Sequence, residues 1–298
     1  WSTAGVAVCA LPRWRPSEMG VIRELPQLET ERDGAVLTIR LANEKARNAL
    51  SRDMRFSLRE VIREIEDDRT IRAVYLTGKG AAFCAGGDLD LISKANDPWP
   101  VHRRFRHASN LFQSLTALDR PVVCGVRGHA IGGGLGVALM ADLIVAGTSA
   151  RFSAGFNRIG TVPDCMTLFA LPRIVGLGVA RAFLLTNGVW DAERAMQLGI
   201  AAEVVPDEDV DRRGLELAHQ LAAGPAEVMG MSKLLLLKAF ESSMDDLMLH
   251  EGMGQALAMS SVEFREGLAA VQERRTPDFL GAVLSHPLSD GLPGPDKP

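Results

Sequence analysis

Two glycine-rich turns and one aspartate hold the residue types that could do chemistry. FCAGGDL at 83–89 and HAIGGGLG at 129–136 each set glycines after an apolar, strand-like run and before a helix-like one. Glycine there lets the backbone come close to a ligand and turn its N–H groups outward, and the helix behind adds partial positive charge. That arrangement can hold an oxyanion. The competing use of the same glycines is a tight turn or close packing. The spacing at 132–136 does not satisfy G-x-G-x-x-G, and no G-x-x-x-x-G-K-[ST] occurs, so dinucleotide and phosphate-loop chemistry are excluded. The third piece is Asp164 in GTVPDCMTL, a carboxylate that could move a proton, or could serve the positive end of a helix starting near Pro163.

The elements that must position these residues alternate. VLTIRLAN reads as a strand, SRDMRFSLREVIREIEDD as an amphipathic helix with Ser51 as its N-cap, and IRAVYLTG as a second strand. RHASNLFQSLTALD is helical in period, Pro121 stops it, and VVCGVRG returns as a strand ahead of the glycines at 132–134. LGVALMADL, apolar almost all round, predicts a buried helix; LIVAG and SARFSAG predict short strands. TVPDCMTLFALPRIVG predicts a helix with Asp164 in its first turn, and DAERAMQLG one capped by Asp191 and stopped by Gly199, before the strand AAEVV. From about Asp207 the pattern is helical throughout. The expectation is an α/β core with parallel strands over 19–206, a helical region over 207–282, a leader over 1–18 with Met19 as a natural start, and a proline- and glycine-rich tail over 283–298.

Composition narrows the function classes. With 33 basic against 37 acidic residues, a net charge of −4 gives no broad attraction to nucleic acid or to an anionic membrane, and no apolar run reaches the roughly 20 residues of a bilayer span. The arginines of the first segment follow its apolar stretch, the wrong order for a secretory signal. Four cysteines stand far apart without a C-x-x-C pair, which suggests neither zinc nor a disulfide framework and fits a cytoplasmic protein. No metal is expected.

Around these turns the sequence resembles the crotonase superfamily, the enoyl-CoA hydratase/isomerase family. The likeness runs over about residues 28–279, through RNAL at 47–50, FCAGGDL, the GGG turn with ALMADLIVA behind it, GTVPD, the segment 191–205 and EFREGLAAVQERRTPDF. It implies a spiral of ββα units with a helical C-terminal region that assembles trimers or hexamers (dimers of trimers), and an acyl-CoA thioester as substrate, coenzyme A entering with it and no separate cofactor. It implies that the backbone N–H groups of Gly87 and Gly133 form the oxyanion hole, and that Lys45, Arg47, Ala49, Ala85 and Asp88 lie along the ligand; Lys45 and Arg47 are equally at home as solvated surface charges.

Hydratases of the family carry two glutamates, at the positions held here by Gly136 and Phe156, so two-acid addition of water loses both groups. Asp164 falls where several isomerases and a dehalogenase branch carry their acting carboxylate. The dehalogenases add a histidine and a tryptophan, matched here by Ser109 and Phe156, and His107 sits about 200° round the helix from position 109. Phe156, Phe152 and Met166 are expected to form an apolar wall beside Asp164. His129 and Asp142 are expected to be structural, and Cys84 and Cys165 small packed residues. The favoured expectation is an acyl-CoA isomerase with Asp164 as acid and base. Its rivals are a hydratase with acids from elsewhere and a non-catalytic acyl-CoA binder; a serine peptidase lacks G-x-S-x-G.

Overall fold

The computed structural model describes residues 22–93 and 97–286, without the side chains of Asp90, Arg104 and His107. The segments 1–18 and 287–298 lie outside the described residues. A meander of β1 (Ile22–Leu25), β2 (Leu28–Asp33) and β3 (Val36–Leu41) leads into α1 (Arg52–Asp67) and β4 (Ala73–Gly78). Then come α2 (Leu89–Ser93), α3 (Pro98–Thr116), β5 (Val122–Val126), β6 (His129–Ile131), α4 (Gly133–Leu139), β7 (Leu143–Gly147) and β8 (Arg151–Ser153). The chain continues through α5 (Thr167–Val175), α6 (Leu177–Leu185), β9 (Val189–Asp191), α7 (Ala192–Gln197) and β10 (Glu203–Val205). It ends in α8 (Val210–Ala223), α9 (Ala226–Lys238), α10 (Met244–Ser260), α11 (Val262–Glu273) and α12 (Phe279–Leu284).

The main sheet has the order β1-β2-β3-β4-β5-β7-β10, antiparallel over its first three strands and parallel from β3 onward. β6, β8 and β9 form a small second sheet. Every residue of β4 and β5 is buried, as near-continuous apolar strands covered on both faces must be. α1 covers one face with Met54, Leu58, Val61, Ile62 and Ile65; its N-cap is Ser51, whose hydroxyl accepts the Met54 N–H at 3.1 Å. α8 covers the other face, packing Leu217, Ala218 and Ala222 against Val36, Tyr75 and Val123.

The further helices are tied down by a buried ion pair. Arg72 meets Glu263 at 2.7 Å and also donates to the carbonyls of Ala222 and Gly224, while Glu263 accepts the N–H groups of Glu227 and Val228. α10 differs from every other long helix: none of its residues is buried, and Met248, Leu249, Met253 and Leu257 are exposed.

Two features depart from expectation. The β1–β2 hairpin was not legible because LETERD alternates charge with only Leu28 and Thr30 buried. The helix expected to contain Asp164 in its first turn starts instead at Thr167, because Cys165 and Met166 take left-handed conformations, φ 50° and 63°, that no helix can include.

Candidate active site

The first glycine turn is laced to the RNAL segment. Arg47 and Asn48 are left-handed, at φ 50° and 57°, which turns the chain back beneath the 79–86 loop. The fully buried Asn48 side chain accepts the Asn43 N–H at 2.8 Å and donates to the carbonyls of Lys79 and Ala82 at 2.9 and 2.8 Å. Ala85 N–H donates to the Arg47 carbonyl and Leu50 N–H to the Gly86 carbonyl, at 2.9 and 2.7 Å. The backbone of this turn is therefore fixed on its near side, before any ligand arrives.

On its far side it abuts the second turn. A Cβ on Gly86, which sits at φ +88°, would stand 2.4 Å from the Ile131 carbonyl oxygen, so only glycine lets the two turns touch. The second turn is held by Gly132 N–H on the Ser153 carbonyl at 3.0 Å, and Gly133 opens α4. Among the described residues neither the Gly87 nor the Gly133 N–H donates to another group. The two adjoining turns thus bring Gly87 and Gly133 to the wall of one space.

That space is a cavity of about 810 Å³ whose wall includes Ala85, Gly87, Gly133, Phe156 and Asp164. The apolar part of the wall comes from Leu89, Ile92, Val101, Phe105, Ile131, Ile159, Val162 and Pro163, and among the described residues Asp164 is the one carboxylate on it. Arg158 and Thr161 also line it. Of the expected apolar neighbours only Phe156 is there. Phe152 is fully buried in the core, and Met166 lines a separate cavity of about 380 Å³ under α5 and α9, because its left-handed backbone turns it away.

The remaining candidates lie off the cavity wall. Lys45 and Arg47 are exposed, Ala49 is buried, and Asp88 accepts the Leu91 N–H at 3.3 Å at the start of α2. Gly136 is buried beneath the turn after Asp164: a Cβ there would stand 2.2 Å from the Cys165 carbonyl oxygen and 2.9 Å from both Cys165 Cβ and Thr167 Oγ1. Asp142 accepts the Val122 N–H and pairs with Lys233 at 2.8 Å. Ser109 donates to the Phe105 carbonyl, His129 is exposed outside the cavity, and the His107 side chain lies outside the described residues.

Asp164 is half-buried and sits in a turn, with its carbonyl accepting the Thr167 N–H at 3.0 Å. Two consecutive left-handed residues that are not glycine cost about 1–2 kcal/mol each, so the surrounding packing must hold this turn in place. Among the described residues the cysteines are held as neutral thiols: burial first, then the Asp164 charge and hydrogen bonding, pushes the Cys165 thiol up, and burial pushes Cys84 up to about 12 and Cys124 up as well. Among the described residues no three His, Cys, Asp or Glu side chains converge as a metal site, and no helix is long and apolar enough to cross a membrane.

What this arrangement can do is stabilise a negative oxygen on two amides while one carboxylate exchanges a proton beside it. The wall residues between 89 and 105 and at 159 were the least legible part, since they belong to no motif and follow no period.

Known proteins share these features. A family model described as enoyl-CoA hydratase/isomerase matches residues 31–282. The chain is 34% identical to the 1,2-epoxyphenylacetyl-CoA isomerase of Escherichia coli (strain K12), over 83% of this chain and 95% of that protein. It is 30% identical to 4-chlorobenzoyl coenzyme A dehalogenase-2 of an Arthrobacter species, over 86% and 94%. The solved structure of an enoyl-CoA hydratase from Mycobacterium smegmatis superposes with a TM-score of 0.81 at 29% identity, covering 85% of this chain and 99% of that one. With its crotonase-type α/β spiral and C-terminal helices, the chain belongs to the enoyl-CoA hydratase/isomerase family.

Proposed function

We propose that the chain is an acyl-CoA isomerase that shifts a double bond, or rearranges a ring, of an enoyl-CoA thioester, with Asp164 as the single acid and base. The observation that carries this reading is the cavity itself: the amides of Gly87 and Gly133 and one carboxylate, Asp164, on an otherwise mainly apolar wall. Asp164 takes the proton α to the thioester; the electron pair moves onto the thioester oxygen, where the two N–H groups stabilise the enolate. The same acid returns the proton at the γ carbon and the double bond comes to rest between α and β. The balance needs no oxidant, reductant or water, hence no resident cofactor.

Hydration is disfavoured on a steric ground. The space that a side chain at Gly136 would need is filled by the Cys165 carbonyl, so no acid can stand there while the Asp164 turn keeps its place, and Phe156 offers no proton. Ala49, Ala85, Asp88, Lys45 and Arg47 are proposed to follow the coenzyme A moiety away from the cavity. The bare apolar face of α10 supports a homotrimer or a dimer of trimers, since an exposed apolar surface of that extent is characteristic of an interface.

The test is Asp164→Asn, assayed with β,γ-unsaturated acyl-CoA thioesters in deuterated solvent. Exchange at the α and γ carbons is expected to vanish while thioester binding persists. Undiminished exchange in that variant refutes the assignment.

A further inference from the structure

The residue after Asp164 touches more of the machinery than its size suggests. Cys165 Sγ lies 3.0 Å from the position a Cβ on Gly133 would take, so the sulfur rests on the residue that carries the second oxyanion amide. Its carbonyl oxygen and Cβ fill the hollow over Gly136, one turn further along α4. Burial first, and then the neighbouring Asp164 carboxylate, pushes its thiol up. Its backbone is left-handed, and so is that of Met166, which a free turn would not choose.

We propose that Cys165 is a positioning residue that sets the separation between the Asp164 carboxylate and the Gly133 amide, and that Gly136 is the slot that receives it. The inference rests on the proposed function, in which Asp164 is the base and the Gly133 amide an oxyanion donor. Two groups that act on one substrate, the proton acceptor and the oxyanion donor, come from different segments, α4 and the 155–167 stretch. Cys165 is where these segments meet. Without a contact of fixed size at that point, the distance between base and donor would follow the fluctuation of a strained turn. Proton transfer is sensitive to that distance: a misplacement of about 1 Å can cost on the order of a hundredfold in rate.

The slot explains why residue 136 is glycine in purely mechanical terms. The atom that a Cβ there would strike is a backbone oxygen, which no rotamer change can move aside. Either the 164–166 turn shifts, or the start of α4 does, and both routes carry Asp164 away from Gly133. The cavity wall that would hold the acyl group is made elsewhere, by residues such as Leu89, Ile92 and Phe105, so binding and turnover should separate.

The experiment compares Gly136→Ala, Cys165→Ala, Cys165→Ser and Asp164→Asn in the full chain, measuring kcat, KM, and the Kd of a saturated acyl-CoA, with thermal melts to establish folding. Gly136→Ala is expected to lower kcat about a hundredfold and Cys165→Ala about tenfold, with KM and Kd within about threefold of the parent; Cys165→Ser, which keeps a donor for Asp164, recovers most of the Cys165→Ala loss. Should Gly136→Ala fail to fold, the Cys165 pair decides alone. If Asp164→Asn abolishes exchange but Cys165→Ala and folded Gly136→Ala turn over like the parent, the positioning role is overturned and the isomerase reading stands. If Asp164→Asn exchanges normally, that reading falls first. A loss in Cys165→Ala that appears equally in Kd overturns the positioning role too, since it marks general damage to the site.

Discussion

Removing one of the two proposed oxyanion amides without removing a side chain is feasible at Gly133. It is the first residue of α4, the position at which proline is best tolerated in a helix, and it is not among the residues of positive φ, so the fixed φ of proline is compatible with it. Gly133→Pro deletes the N–H and adds a ring; Gly133→Ala adds a Cβ but keeps the N–H, and so isolates the steric part. That Cβ would meet Cys165 Sγ at 3.0 Å and Leu50 Cδ1 at 3.2 Å, both ends of side chains that can yield by a few tenths of an ångström. The alanine variant should therefore lose only about tenfold in kcat, in keeping with the cost of mild overpacking, roughly 1–3 kcal/mol when felt fully. Loss of the amide itself should cost a further 10²–10³-fold, about 3–4 kcal/mol of transition-state stabilisation. The assay is solvent deuterium exchange at the α carbon of a saturated acyl-CoA, which reports enolate formation without requiring a complete isomerisation. Proline and alanine variants that exchange within tenfold of each other would refute the oxyanion role of Gly133.

Two further outcomes are expected. Glu266 is held well below the usual carboxylate range, at about 2, chiefly by its hydrogen bonds from Arg275 and then by the Asp278 N–H. A depressed folded pKa stabilises above the unfolded value of 4.5 and is lost as pH falls toward 2. The melting difference between the parent and Glu266→Gln should thus be present at neutral pH and shrink between pH 4.5 and 2; a difference that persists at pH 2 contradicts the linkage. Leu257→Arg on the bare face of α10 should shift the sedimenting species from a multiple of the chain mass toward the single chain, and a parent protein that sediments as a single chain removes the basis for assembly.

The sequence carried the site in pieces of unequal legibility. Gly86, Gly87 and Gly133 were readable because main-chain approach demands glycine at fixed places between strand and helix. Asp164 was readable as a residue but not as a geometry: the pattern around it suited a helical first turn, and only the left-handed Cys165 and Met166 show that it stands ahead of the helix. Nothing in residue type announces a left-handed cysteine. The central strands were legible from continuous apolar runs such as AVYLTG, whereas β6 and β9, three residues each, are too short to display a period and exist because neighbours pair with them. Asn48 escaped notice as a structural hub because its work lies in three hydrogen bonds to distant main chain, which spacing along the chain cannot encode.

The backbone contacts that clamp the first glycine turn to the RNAL segment, Leu50 to Gly86, and to the second turn, Cys84 to Ala130 and Gly86 against Ile131, involve hardly any side-chain functional group. The placing of the Gly87 and Gly133 amides is therefore a matter of architecture, while Asp164 arrives on a separate segment whose Cys165 lies against the second turn. In a fold built this way the side chains on the cavity wall can be exchanged while the main-chain clamp beneath them stays as it is, because neither set of contacts is made by the other.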